Sequence, residues 1–218
     1  MDEKTIRVLL ADDHPVARAG IRAILETAPD IEIVGEAQNG AEVKRMVKAL
    51  RPHVLLLDLV MPGTRPLELE KWVRTHYPQT TTVVLTGHDH DYYLAGMLEA
   101  GVTGYLTKNE APDKLVDAIR CAARGQPFIV GGRLAQAIHW REAVGARWES
   151  LTHQERRVLR LLAEGKDNKA IAQRLGVTAK TVAYHVANIL NKLGVGSRLE
   201  AVAWVHENLP EDLVKIPG

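Results

Sequence analysis

Through the first 125 residues, short apolar, β-branched runs alternate with stretches of helical period. Ile6–Leu10, Ile31–Val34, Val54–Leu59, Thr81–Leu85 and Gly104–Leu106 read as strands. Most are apolar on both sides, the pattern of strands buried between two helical layers. Between them Val16–Thr27, Ala41–Leu50, Leu67–Thr75, Tyr92–Ala100 and Pro112–Arg124 read as helices, the last with Leu115, Val116, Ile119 and Ala122 on one stripe. Five strand–helix repeats predict an α/β domain, residues 1–125, built on a doubly wound five-stranded parallel sheet with right-handed crossovers.

The pattern breaks after Gly125. Gln126-Pro127 and Gly131-Gly132 read as turns, and Arg133–Ala143 as a short helix inside a linker over 126–149. From 150 to 218 only helices are predicted. Thr152 with Glu155 forms a capping box opening a helix that runs to Ala163 and stops at Gly165. Asp167 caps Asn168–Leu175, and the turn Gly176-Val177-Thr178 leads into Ala179–Leu193. Ser197 with Glu200 reads as a second capping box, for a last helix ending near Glu207. Two helices joined by a short Gly-containing turn, the second long and polar on one side, form a helix-turn-helix candidate.

Composition narrows the class. With 46% hydrophobic and 25% charged residues the chain reads as ordinary globular protein, and 5% aromatics call for aliphatic cores. Cys121 is the sole cysteine, so an internal disulfide and a Cys-rich zinc module are excluded. No apolar run approaches the roughly 20 residues that span a bilayer, and no signal-like segment opens the chain. The expectation is a cytoplasmic protein with no membrane partner. The net charge of +1 hides an asymmetry: residues 1–125 hold 15 basic against 18 acidic side chains, residues 150–218 hold 10 against 7. An acidic front and a mildly basic back suggest different partners.

Ligands of doubly wound sheets sit at the carboxyl ends of the strands. There the sequence places Asp12-Asp13 after the first strand, Asp58 after the third, Thr86 after the fourth and Thr107-Lys108 after the fifth. One Asp at a strand end is usually a helix cap. Five such groups on four strands are a site. Three carboxylates repel unless a cation holds them, and hard oxygen donors suit Mg²⁺. Asp58, on the central strand, is then the natural nucleophile for an aspartyl phosphate, with Asp12 and Asp13 on the metal. Lys108 would pair with the phosphoryl oxygens and the Thr86 hydroxyl would bond another.

The runs Asp-Asp-His-Pro at 12–15, Asp-Leu-Val-Met-Pro-Gly at 58–63, Thr86 and Gly-Tyr-Leu-Thr-Lys at 104–108 resemble a response-regulator receiver domain. Leu151-Thr152, Glu155, Asn168-Lys169, Ile171-Ala172, Thr181-Val182, His185, Lys192-Leu193-Gly194-Val195, Arg198 and Glu200-Ala201 resemble the LuxR-type helix-turn-helix. In this order the two resemble NarL/FixJ-family response regulators. The resemblance implies a flavodoxin-like sheet of order 2-1-3-4-5 and phosphate donated to Asp58 by a sensor histidine kinase. It implies Mg²⁺ at Asp12, Asp13, Asp58 and the main-chain carbonyl of Val60. It implies that Tyr105 is a switch aromatic moving with Thr86, and that phosphorylation favours a homodimer on two-fold related half-sites of double-stranded DNA.

The chain also departs from its relatives. Pro66 and Gly87 stand where the family more often has glycine and alanine or serine, which stiffens one loop and opens the phosphoryl site. His88-Asp89-His90-Asp91 invites a metal reading, but it lies on a predicted loop without an evident fourth ligand, so zinc is not expected. On the second helix of the motif, Val182, Val186, Ile189 and Leu193 should be core, with Lys180, Tyr184, Ala187, Asn188 and Asn191 facing outward. Lys180 and Lys169, together with the backbone amides at the N-termini of both helices of the motif, the second of them at Thr178 and Thr181, are placed to meet phosphates. Asn188 and Asn191 are placed to meet adenine edges. Ala183 and Ala187 stand where the family commonly carries basic residues, which shifts base readout toward Tyr184 and apolar contacts and lowers the salt slope. The last helix is expected to dimerise through Val202, Val205 and Trp204.

Three function classes result. The first is a transcription regulator, not an enzyme, switched by phosphorylation. The second is a Mg²⁺-dependent phosphatase using Asp58, for which only Asp13 offers an acid/base group. The third is a DNA binder indifferent to phosphorylation, against which the intact set of five residues argues.

Overall fold

Six parallel strands in the order β2-β1-β3-β4-β5-β6 form the sheet of a computed structural model that describes residues 5–87, 90–129 and 132–210. The strands are β1 (Ile6–Ala11), β2 (Ile31–Ala37), β3 (Val54–Leu57), β4 (Thr81–Thr86), β5 (Gly104–Thr107) and β6 (Phe128–Ile129). The crossover helices are α1 (Pro15–Leu25), α2 (Gly40–Leu50), α3 (Pro66–His76), α4 (Asp91–Ala100) and α5 (Pro112–Ala123). The expected order 2-1-3-4-5 is present. The expected count of five is corrected to six, because Phe128 and Ile129 pair with Gly104 and Tyr105. Two residues are too short a run to announce a strand, and the pairing depends on Phe128 packing against the core beneath the sheet.

The alternation that filled both faces of the strands is visible in the packing. Val8, Leu10, Val54, Leu56, Val83, Leu85 and Leu106 point to one side, against Ile21 and Leu25 of α1 and Leu115, Ile119 and Ala122 of α5. The intervening Leu9, Leu55, Leu57, Val84 and Tyr105 are equally buried, as strand pleating puts them on the other face. At the amino ends of the strands, Arg120 of α5 forms a two-point ion pair with Asp30, at 2.7 and 2.8 Å.

The chain divides into two units, Met1–Asp89 with Tyr93–Ala135, and His90–Tyr92 with Gln136–Gly218. The residues expected as linker take definite structure: β6, then α6 (Arg133–Trp140), a wide turn Arg141–Gly145, and α7 (Ala146–Ser150). Trp148 of α7 is buried in the helical core, so ordered packing begins before residue 150. That core joins α8 (His153–Ala163), α9 (Asn168–Leu175), α10 (Ala179–Leu193) and α11 (Arg198–Asn208) through Val158, Leu162, Ile171, Val182, Ile189 and Val205. Thr152 and Glu155 close the predicted capping box on α8. At α11 the box is altered: Ser197 caps the Glu200 N–H, but the Glu200 carboxylate reaches back one residue further, to the Gly196 N–H at 2.8 Å. No helix among the described residues is long and apolar enough to cross a membrane.

Candidate functional site

Backbone pairing alone aligns the strand ends. The Asp58 N–H bonds the Ala11 carbonyl at 2.9 Å, so Asp12 and Asp58 leave neighbouring strands side by side. The Lys108 N–H bonds the Thr86 carbonyl at 2.8 Å, which does the same for β4 and β5. Asp12 Oδ1 accepts the His14 N–H at 2.8 Å and turns the chain into α1, with Pro15 at its first position. Lys108 Nζ lies 2.7 Å from both Asp12 Oδ2 and Asp58 Oδ2. Asp12, Asp13, His14 and Asp58 each offer a ligand atom within 4.8 Å of the others.

Asp12, Asp58 and Thr86 are buried, while Asp13 and Lys108 are half-buried. Burial pushes the Asp58 carboxyl above the ordinary aspartate range, and the Lys108 ammonium and the Val60 N–H (3.3 Å from Oδ1) draw it part of the way back. For Lys108 burial alone would lower the ammonium, but hydrogen bonds to Asp12 and Asp58 outweigh it and hold the group above its usual value. Three carboxylates against one ammonium leave an excess of negative charge on hard oxygen donors. That donor set fits Mg²⁺.

Two side chains at this site were not singled out from sequence. Arg18, buried on α1, donates to the Asp12 carbonyl at 2.7 Å and to Glu36 at 3.3 Å, fixing the turn that aims Asp12. His14 places Nδ1 2.8 Å from Asp13 Oδ1. Tyr105 is fully buried, with the Arg133 guanidinium 5.8 Å from its ring centre. β5 is therefore an inner strand, covered by β6. His88 and Asp89 of the acidic-histidine run lie outside the described residues.

In the second unit, Thr178 caps α10 through the Thr181 N–H at 3.1 Å, and the two threonine hydroxyls lie 2.9 Å apart. Gly194 ends the helix in the left-handed conformation. Its axis is anchored from behind: Lys192 Nζ meets the buried Glu155 carboxylate at 2.7 Å, and Arg147 donates to the Leu193 carbonyl at 3.3 Å. Arg198 reaches Asn168 and the Lys166 carbonyl, tying α11 to the start of α9. Of the expected outward residues, Lys180, Ala183, Tyr184, Ala187 and Asn191 are exposed, as are Thr178 and Lys169; Thr181 and Asn188 are half-buried. Tyr184 keeps 65% of its surface in solvent.

Two of the expected dimer residues, Trp204 and Val205, are corrected. Val205 (1% exposed) and Trp204 (8%) belong to the core of the helical unit, and Val202 is packed against that core. Leu199, 78% exposed, leads the open face of α11, followed by Ala203 and His206.

Residues 8–120 match the family model for the response regulator receiver domain, and residues 149–205 that for bacterial regulatory proteins of the luxR family. The transcriptional regulatory protein LiaR of Bacillus subtilis is 40% identical over 206 residues, 93% of this chain and 98% of that one. The nitrate/nitrite response regulator NarL of Escherichia coli is 37% identical over 210 residues, 94% and 97% of the two chains. A solved structure of the RcsB response regulator of Salmonella typhimurium aligns with TM-score 0.66 at 29% identity, over 93% of this chain and all of that one. The structure of an RcsB–DNA complex aligns with TM-score 0.63.

Proposed function

We propose that this chain, which belongs to the NarL/FixJ family of two-component response regulators, controls transcription through phosphorylation of Asp58. The observation that carries the reading is the pairing of Asp58 with Lys108 beside two further aspartates at the carboxyl edge of the sheet. Asp12, Asp13, Asp58 and the Val60 carbonyl would hold Mg²⁺. When bound, the ion supplies charge neutralisation on the transferring phosphoryl group.

Asp58 Oδ attacks phosphorus as the phosphorus–nitrogen bond of a kinase phosphohistidine breaks. Lys108 gives up its bond to Asp58 and follows the charge onto a phosphoryl oxygen. Thr86 donates its hydroxyl to another, and Tyr105 adjusts behind it. Arg18 keeps the Asp12 turn in place throughout. An apolar groove of about 200 Å³ beside Lys108, lined by Val16, Gly20, Pro112 and Leu115, offers a kinase helix its seat.

The phosphorylated form pairs with a second copy and sets α10 in the major groove of two-fold related half-sites. Lys169 and Lys180 meet phosphates, with the capped N-terminus of α10 at Thr178 and Thr181. Asn188 and Asn191 meet base edges. Leu199, Ala203 and His206 supply the contact between the helical units.

Incubation with a small phosphodonor and Mg²⁺ tests the acceptor. Wild-type chain should take up one phosphoryl group, and Asp58→Asn none, with unchanged circular dichroism. Label retained in Asp58→Asn would overturn the assignment. Steady turnover of phosphate esters, with label that does not accumulate, would favour a phosphatase instead.

A further inference from the structure

Helical geometry puts Lys180, Tyr184, Ala187, Asn188 and Asn191 within about 60° of one direction on α10. Lys180 and Asn191 lie at its two ends and Asn188 is half-buried. The centre is therefore Tyr184, the one large side chain there, flanked by exposed Ala183 and Ala187. The alanines reach no base edge and donate no hydrogen bond. They let the helix approach closely, and they leave the middle of the face without a cation.

The ring of Tyr184 is mostly in solvent and touches the neighbouring ring of His185. It meets His185 edge to face, with ring centres 5.9 Å apart and planes at 61°. His185 is itself half-buried at the margin of the core. An exposed aromatic face with no cation beside it favours an apolar partner, and the apolar group that base pairs present in the major groove is the thymine 5-methyl. The phenolic hydroxyl, at the rim, is left for water or phosphate.

We propose that Tyr184 determines sequence preference by packing its ring on a thymine methyl at the centre of each half-site. This rests on the reading of α10 as the DNA-contacting helix. It assigns to ring contact a readout that hydrogen bonds from Asn188 and Asn191 would otherwise perform.

The test uses the full-length chain with Mg²⁺ and a small phosphodonor. Duplexes are enriched from a random pool, and each thymine of the enriched sequence is replaced in turn by uracil, which removes only the methyl. At one thymine per half-site, affinity should fall roughly fourfold, the equivalent of one methyl returned to water. Tyr184→Phe should keep that loss, and Tyr184→Ala should bind thymine and uracil duplexes alike. A uracil effect that persists in Tyr184→Ala, or is missing at every thymine of the wild-type site, overturns the inference while leaving DNA binding in place. If no duplex is enriched at all, the DNA reading fails and this inference with it.

Discussion

At the ends of β1, β3 and β5 the charged side chains are buried or half-buried and already engaged with one another, Lys108 bridging Asp12 and Asp58 at 2.7 Å each. On the open face of α10, Lys180, Tyr184 and Asn191 stand in solvent. The first arrangement is a pre-assembled pocket whose partners would have to be exchanged in the proposed phosphorylation. On the proposed reading, adding a phosphoryl group there would redistribute interactions that already exist, so its effect could travel. The second is a docking surface whose supports lie behind it, in Glu155, Lys192 and Arg147. A change there alters what is bound without altering the fold.

Two glutamates, both 3% exposed, make the contrast sharper. Burial holds the Glu70 carboxyl above the ordinary glutamate range, with Thr82 and the Arg74 charge only partly offsetting it. Burial acts on Glu155 too, but Lys192 and the Thr152 N–H outweigh it and hold that carboxyl low. Residue type and exposure are alike. Glu70 is enclosed more deeply, and Glu155 has a lysine in contact; the two differences together set the sign.

The largest effect is expected from breaking the support behind α10. Glu155→Ala removes both the box at Thr152 and the partner of Lys192, and should destabilise the helical unit by about 1–3 kcal/mol. Phosphorylation of Asp58 should be unaffected. Urea unfolding and phosphodonor labelling of the full chain check the two halves of this statement, and a labelling defect would show that the units are not built separately.

A smaller, pH-dependent effect separates the glutamates. Native Glu70 binds its proton more tightly than the unfolded chain does, so its contribution falls as pH rises through its raised value. Glu70→Gln should therefore be more stable than wild type near neutrality, the gain shrinking as pH falls through the raised value and gone once pH is below the ordinary glutamate pKa of about 4. Glu155 has the opposite sign: its contribution is complete above the ordinary glutamate range and is lost as pH falls through its lowered value. Glu155→Gln should lose stability near neutrality and approach wild type in acid. Urea midpoints across pH check both, and parallel profiles would contradict the assignment of partners.

The smallest expected effects concern charge on the docking face. Lys180→Ala should weaken specific and random duplexes equally and lower the salt slope by about one. Lysine at both 183 and 187 should steepen it by roughly two and raise random-duplex affinity most. Titrations at several salt concentrations check this, and a slope unmoved by all three changes would remove α10 from the phosphate contact.

The pocket residues were conspicuous in the sequence because charged groups at the ends of apolar strands have few structural reasons to be there. Asp12, Asp13, Asp58, Thr86 and Lys108 could be picked out by position alone. Arg18 could not, because nothing in an arginine on a helix says that it will reach back to the Asp12 carbonyl. Strand β6 was hidden for a different reason: Phe128 and Ile129 become a strand only because Gly104 and Tyr105 offer an edge. The misplacing of Trp204 and Val205 has its own cause. Leu199, Val202, Ala203, Trp204 and Val205 surround α11 with apolar groups, so its period does not say which face is inside. On α10 polar and apolar residues separate cleanly, and the outward face could be read.

One measurement bears most directly on phosphorylation of Asp58 as the switch for DNA binding. It is the affinity of the full-length chain for an enriched duplex, with and without phosphodonor in Mg²⁺, alongside Asp58→Asn. Wild type should bind more tightly once phosphorylated, and the variant should show one affinity under both conditions. An equal response in Asp58→Asn, or no response in fully labelled wild type, would contradict the account.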